Sequence, residues 1–385
     1  MNIDLFLTKI LNDKNYSIKI NNEINDIINL IKNGYDKDKI SKKYNKNFGL
    51  LYEFAGSRIK IKNKFSNFNS IFMDYYSSMY STPEIVGKFR SEKLKNNDII
   101  DIGSGSGMQS IMFSFDSNVT GIEKDRSRYL MSNINKKVYH SSANFINSDF
   151  FELNYDYYNK IIFSDPLRPK TSNERTFSGL IPDPEIIIKK LNNIKGYVFD
   201  LPPQMKWSNI KLNGEKEYIS INGNINRLTL YSNSISENNA SAVMLPEKMQ
   251  ISGDSKDLNY NMENIKNDVY LYLPDISLIY SKLLYKIINE DFHLIYMDSK
   301  RYVFTGNENI KKFFGKKYNI LSVTDKNNIL KELKKLNANK IFLRFNIDTD
   351  EYYKIKNDID KSLLGDKNIF IFKNFNSYIL TELIE

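Results

Sequence analysis

The chain has 385 residues, 41% of them hydrophobic and 26% charged, which is enough apolar content for a sizeable core and length enough for two or three domains. Cysteine is absent and histidine occurs only as His140 and His293, which excludes disulfides, cysteine nucleophiles, thiolate zinc sites and multi-histidine metal centres. The net charge is +9, and residues 1–90 hold 15 Lys/Arg against 9 Asp/Glu, so an anionic partner or a well-solvated basic surface belongs to that region. No run of about 18 apolar residues occurs. The N-terminus lacks the pattern of a signal peptide, so a cytoplasmic protein with no membrane span and no metal is the expectation.

In chain order, Ile20, Ile24, Ile27, Ile28 and Ile31 recur at helical spacing, and Gly34 offers a stop. Residues 47–65 suit a helix through Leu50, Leu51, Phe54 and Arg58, although Arg58, Lys60, Lys62 and Lys64 also alternate with Ile59 and Ile61 as in a strand. No turn signal intervenes, which favours the helix. From residue 98 the texture changes to strand 98–102, helix 108–115, strand 118–122, helix 126–137, strand 160–163, helix 184–191 and strand 196–199. Short apolar strands alternating with amphipathic helices predict an α/β, Rossmann-like parallel sheet with crossovers. Residues 217–232 flank Asn222-Gly223, a hairpin signal. Residues 246–265 read as a linker. Beyond them the pattern predicts strand 269–273, helix 275–289, strands 293–297, 301–305 and 318–323, helix 326–337, strand 340–346, a helix near 350–363, and strands 368–373 and 377–383. That is a small α+β unit, of a split βαβ, ferredoxin-like kind.

Asp101-Ile102-Gly103-Ser104-Gly105-Ser106-Gly107 joins the first strand to the following helix. Glycines there permit a tight turn and let a ligand approach the backbone. Dinucleotides and S-adenosylmethionine are both bound by such turns. The dinucleotide pattern needs a third glycine at the sixth place, which is Met108 counted from Gly103 and Ser110 counted from Gly105. The Walker pattern fails because no Gly-Lys-Ser/Thr follows. Acids then recur at strand ends as Asp101, Glu123, Asp149 and Asp165.

Three alternate glycines with an acid two residues before the first resemble motif I of class I S-adenosylmethionine-dependent methyltransferases. The resemblance implies that S-adenosylmethionine is held by Asp101, Gly103, Ser104, Gly105, Gly107, Glu123, Asp149, Phe150 and Ser164. Within that set Glu123 would take the ribose hydroxyls and Asp149 the adenine amino group. Ile162 to Pro169 lies where the family places its catalytic motif, so Asp165, Pro166 and Arg168 are the candidate catalytic residues.

Further landmarks resemble the subfamily with a C-terminal THUMP-like domain. These are Lys60 to Phe65, Ser81 to Arg90, Asp165-Pro166-Leu167-Arg168, Leu201 to Met205, Glu217 to Gly223, and Tyr270 to Asp275. The implied organisation is a helical basic region at 1–90, a methyltransferase domain at 91–245 and a THUMP-like domain at 246–385. The implied activity is N-methylation of a base in RNA, tRNA or rRNA, with Arg58, Lys60, Lys62 and Lys64 contacting the RNA. A protein or small-molecule acceptor is the alternative. A non-catalytic RNA-binding protein is a third reading, against which the intact Asp101, Gly103, Gly105, Glu123 and Asp165 argue. Trp207 reads either as a stacking partner for a base or as a packed residue. His140 and His293 read as surface or packed residues.

Overall fold

A computed structural model describes residues 2–44, 47–167, 175–257 and 259–384. The chain forms two compact units. One comprises Met1–Gly214 with Thr229–Glu237, the other Glu215–Leu228 with Asn238–Glu385.

The first unit begins with helices α1 (Ile3–Asn12), α2 (Lys14–Lys32), α3 (Lys37–Ser41), α4 (Phe48–Ile61), α5 (Tyr75–Tyr80) and α6 (Glu84–Lys93). Side chains of Asn2, Asp13, Asp36 and Asp74 accept backbone N–H bonds at the starts of α1, α2, α3 and α5, which satisfies donors that a helix leaves open. The isoleucine periodicity is borne out, since Ile20, Ile24, Ile27 and Ile28 are buried in one cluster with Phe6, Leu51 and Phe54. Helix α4 settles the ambiguity at 47–65 in favour of a helix.

The alternating region supplies β1 (Asp98–Ile102), α7 (Met108–Phe113), β2 (Asn118–Glu123), α8 (Arg126–Val138), β3 (Asn144–Asn147), β4 (Ile161–Ser164), α9 (Pro184–Lys190) and β5 (Gly196–Leu201). The strands are parallel and ordered β3-β2-β1-β4-β5. Ile102 lies opposite both Ile122 and Ser164, and Glu123 lies opposite Asn147. This register brings the carboxyl ends of four strands level, which is where open α/β sheets bind ligands. Leu130, Met131 and Ile134 of α8 join the buried cluster of the N-terminal helices, so that region is packed against the sheet unit rather than appended to it.

The second unit contains β6 (Glu215–Ile221), the first half of β7 (Asn224–Tyr231), β8 (Ala240–Leu245) and β9 (Met249–Gly253). Asn222 and Gly223 both have positive φ, 50° and 75°, as the tight hairpin turn requires. β6 pairs parallel with β8, and β8 antiparallel with β9. The expected linker is therefore corrected, because β9 lies inside it. The strand was missed because Pro246 stands just before it and Gly253 is its last residue, both of which read as turn signals.

A seven-stranded sheet follows, made of β10 (Tyr270–Pro274), β11 (His293–Met297), β12 (Tyr302–Gly306), β13 (Gly315–Thr324), β14 (Ala338–Leu343), β15 (Lys367–Asn374) and β16 (Ser377–Leu383). Its order is β11-β12-β10-β13-β16-β15-β14. The helices of this stretch are α10 (Ile276–Tyr280), which packs on β6 and β8, and α11 (Ile329–Lys335) and α12 (Thr349–Asp360), which pack on the seven-stranded sheet. The α+β character is as expected. The crossover is not split, because β14 and β15 are parallel neighbours joined through α12. The expected helix at 275–289 shortens to α10, since Lys282 takes a left-handed φ of 59° that ends it.

Candidate functional site

β1 delivers Asp101 to the head of the glycine turn, 2% exposed, where Ser110 Oγ donates to its Oδ2 at 2.5 Å. Burial, with Asp165, Glu123 and Asp200 nearby, pushes its carboxyl up to about 7. The turn is tied to the end of β2. Gly103 and Ser104 N–H groups bond the carbonyl of Ile122 at 2.9 and 3.1 Å. Gly105 N–H donates to Glu123 Oε2 at 2.8 Å, and Asp125 N–H donates to Glu123 Oε1 at 2.8 Å. Glu123 is thus a brace between the glycine turn and the start of α8, and it is 6% exposed.

The ends of β2 and β3 are linked in turn. Ser148 N–H and Asn147 Nδ2 both donate to the carbonyl of Glu123, at 3.1 and 2.9 Å. Asp149 follows, its Oδ1 accepting from Phe151 N–H at 2.8 Å and its Oδ2 lying 3.9 Å from Lys124 Nζ. From β4 come Asp165, half-buried, and Pro166, buried. Leu167 exchanges two N–H···O bonds with Ile181, both 2.8 Å, which pins the segment after β4.

These residues converge on a cavity of about 300 Å³. Of the residues singled out in the sequence, it is lined by Asp101, Gly103, Ser104, Gly105, Glu123, Asp149, Phe150 and Asp165. A Cβ added at Gly103 or Gly105 would meet no atom within 4 Å, so the turn presents bare backbone to open space. Both glycines also hold positive φ, 74° and 57°. Phe150 is buried edge-on against Phe151 and Tyr157 and still borders the cavity.

Three expected contacts are corrected. Gly107 serves packing, not ligand approach, because a Cβ there would fall 2.6 Å from Ser132 Cβ and 2.7 Å from Phe145 Cζ. Ser164 is fully buried, its hydroxyl donating to the carbonyl of Ile102 at 2.8 Å, where it holds β4 to β1. Arg58 is fully buried as well. Its guanidinium donates to the Ile71 carbonyl at 3.1 Å, to Asn25 Oδ1 at 3.3 Å and to Asn21 Oδ1 at 2.5 Å. Burial pushes it down to about 9. It locks α4 to α2 and cannot touch a partner.

The other basic positions differ among themselves. Lys60 and Lys62 are exposed, with Lys60 Nζ 4.6 Å above the ring of Tyr75. Lys64 Nζ donates to the carbonyls of Ser78, Met79 and Ser81 at 3.0, 2.8 and 3.2 Å, and so fixes the end of α5. Arg168 and Pro169 lie outside the described residues.

Thr82, from the landmark segment Ser81 to Arg90, also lines the cavity, and the sequence reading missed Tyr76, Tyr80, Gln109 and Arg128, which line it too. Gln109 Oε1 accepts from Arg90 Nη1 at 2.8 Å, and fully buried Arg90 pairs with Asp200 at 2.7 Å. Arg128 is anchored to Asp74 at 2.9 Å. The four-residue spacing of Tyr76 and Tyr80 is the one signal that marks a shared face.

No family model matches the chain, and no curated protein is similar to it in sequence. Among solved structures, a candidate methyltransferase from Porphyromonas gingivalis W83 superposes with a TM-score of 0.71 at 16% identity, over 94% of this chain and 99% of that one. A candidate class I S-adenosylmethionine-dependent methyltransferase from Listeria monocytogenes gives a TM-score of 0.33 at 12% identity, over 60% and 88% of the two chains. The Thermus thermophilus 16S rRNA N2 G1207 methyltransferase in complex with AdoMet and guanosine gives 0.29 at 13% identity, over 39% and 43%. The last two overlaps are too loose to bear on this chain. The first, with the strand order and the cavity at the strand ends, shows a Rossmann-like methyltransferase fold accompanied by a further α+β region.

Proposed function

We propose that the protein is an S-adenosylmethionine-dependent methyltransferase that N-methylates an unpaired base in RNA, tRNA or rRNA. The observation that carries this reading is the bare-backbone cradle of Gly103 and Gly105, with Glu123, Asp149 and Asp165 on the same cavity. That donor set suits the cofactor. The open cradle admits a ligand to the backbone, and the carboxylates suit a molecule with a sulfonium, an ammonium and two ribose hydroxyls. When bound, the cofactor supplies a methyl group already activated by the positive sulfur.

The chain's own task is then alignment. Glu123 oxygens, each already taking one N–H, retain lone pairs for ribose hydroxyls. Asp149 and Phe150, on the same cavity, would flank the adenine ring. Asp165, at the end of β4, would accept an N–H from an exocyclic amine and hold the developing positive charge on its nitrogen. A base stacked inside a duplex cannot reach this depth, so the acceptor must be unpaired or flipped. Lys60 and Lys62 would contribute RNA contacts. The organisation we propose is a helical basic region at 1–90, a methyltransferase domain at 91–245 and a THUMP-like domain at 246–385.

Two measurements test the reading. Titration calorimetry with S-adenosylmethionine should give one site per chain. Mass spectrometry of nucleosides from total RNA, with and without the gene, should reveal one methylated nucleoside that disappears. Absence of binding refutes the cofactor, and an unchanged nucleoside profile moves the acceptor to a protein or small molecule.

A further inference from the structure

Beside the glycine turn and the strand-end acids, the same cavity is lined by large apolar side chains, several of them exposed. α5 contributes Tyr76 and Tyr80, one helical turn apart, their ring centroids separated by 4.6 Å with a tilt of 44°. Tyr80 is 48% exposed, Phe151 43%, Leu167 43% and Ile181 57%, and all of them line the cavity. Large exposed apolar side chains gathered on one cavity mark a surface that is covered when the protein works.

Cations accompany these faces. Lys60 Nζ stands over Tyr75, the residue next to Tyr76. Lys190 Nζ donates to the carbonyl of Phe151 and lies 5.8 Å from the centre of its ring. Exposed Lys124 also lines the cavity. Flat apolar faces edged by lysines match a planar ring carried on an anionic chain. The carboxylates Asp101, Glu123, Asp149 and Asp165 that line the cavity suit the cationic cofactor of the proposed reading, whereas Lys60 and Lys190, beside Tyr75 and Phe151, suit the phosphates of a nucleotide whose ring lies on the tyrosines.

We infer that Tyr80, backed by Tyr76, is the stacking platform for the acceptor base of a single-stranded RNA, and that Lys60 and Lys190 hold the flanking phosphates. This rests on the methyltransferase reading of the same cavity. It adds a specificity-determining residue and states the form of the acceptor. The platform acts by fixing the tilt of the base, so that the nucleophilic nitrogen points inward to Asp165.

The test uses the full chain and a single-stranded RNA oligomer containing 2-aminopurine, whose fluorescence is quenched on stacking, read at several salt concentrations. Wild type should quench the probe. Tyr80→Ala should weaken binding roughly five- to hundredfold, as loss of one base–aromatic stack does, with an unchanged salt slope. Tyr80→Phe should restore binding to within about twofold, which a hydroxyl-mediated role would not allow. Lys60→Ala should lower the log–log salt slope by roughly 0.7. Equal affinity of Tyr80→Ala and wild type, an absence of quenching, or preference for a duplex or an aromatic peptide over the oligomer would overturn the platform. Calorimetry on wild type separates the two levels. Cofactor binding without a Tyr80 effect sinks the platform alone, while no cofactor binding sinks the methyltransferase reading beneath it.

Discussion

Asp101 gives a pH-dependence whose sign follows from its surroundings. It is buried at 2% exposure, with one strong donor, Ser110, and with Asp165, Glu123 and Asp200 as its charged neighbours. The rise of its carboxyl from the ordinary 3.8 to about 7 corresponds to about 4 kcal/mol against the ionised form, at about 1.4 kcal/mol per pH unit. Between pH 4 and 7 the folded protein holds a proton that the unfolded chain has released. The unfolding free energy therefore falls as pH rises through that window and levels off above it.

Asp101→Asn keeps an acceptor for Ser110 and removes the ionisation. Urea denaturation of both proteins at pH 5, 6, 7 and 8 isolates the contribution as a difference, which should grow with pH and favour the variant by up to about 4 kcal/mol at pH 8. A cationic ligand reverses the balance, since it selects the ionised carboxyl. Calorimetry with S-adenosylmethionine near pH 6, in buffers of different ionisation heat, should show release of up to about one proton, and none in Asp101→Asn. A difference between the two proteins that stays flat from pH 5 to 8 would refute the assignment of this proton to Asp101.

Other expectations rest on single contacts. Glu123→Gln cannot accept from both Gly105 and Asp125 N–H, so cofactor affinity measured by calorimetry should fall by roughly 1.5–3 kcal/mol, with a lower melting temperature; retained affinity removes Glu123 from the site. Asp165→Ala should abolish methyl transfer in a radiolabel assay and leave cofactor affinity within a few-fold, and activity close to wild type would remove its catalytic role. Arg58→Met strands three acceptors inside the helical region and should cost roughly 2–4 kcal/mol of stability in urea, with the salt slope of RNA binding unmoved. Gly107→Ala combines a left-handed φ of 82° with a clash on Ser132 and Phe145, and thermal melting should report a loss of roughly 2–4 kcal/mol.

The alternation of short apolar strands with amphipathic helices is a local pattern, and it sufficed for the parallel sheet. The turn from Asp101 to Gly107 and the acids after β2, β3 and β4 were legible for the same reason, because each sits at a strand end whose position a few neighbours decide. The role of each residue was not local. Arg58 reads as a surface cation beside Lys60 and Lys62, yet the helical turn of α4 carries it inward, where Asn21, Asn25 and the Ile71 carbonyl satisfy it. Gly103 and Gly107 look alike in the chain. Only packing shows that the first faces open space and the second faces Phe145. Tyr76 and Tyr80 reach the cavity from a helix some 20 residues before the glycine turn, a contact that sequence spacing does not encode. Sequence determines which faces are apolar and where the backbone must turn. Which polar group ends up solvated, braced or lining a cavity depends on partners distant in the chain, and tertiary structure alone decides it.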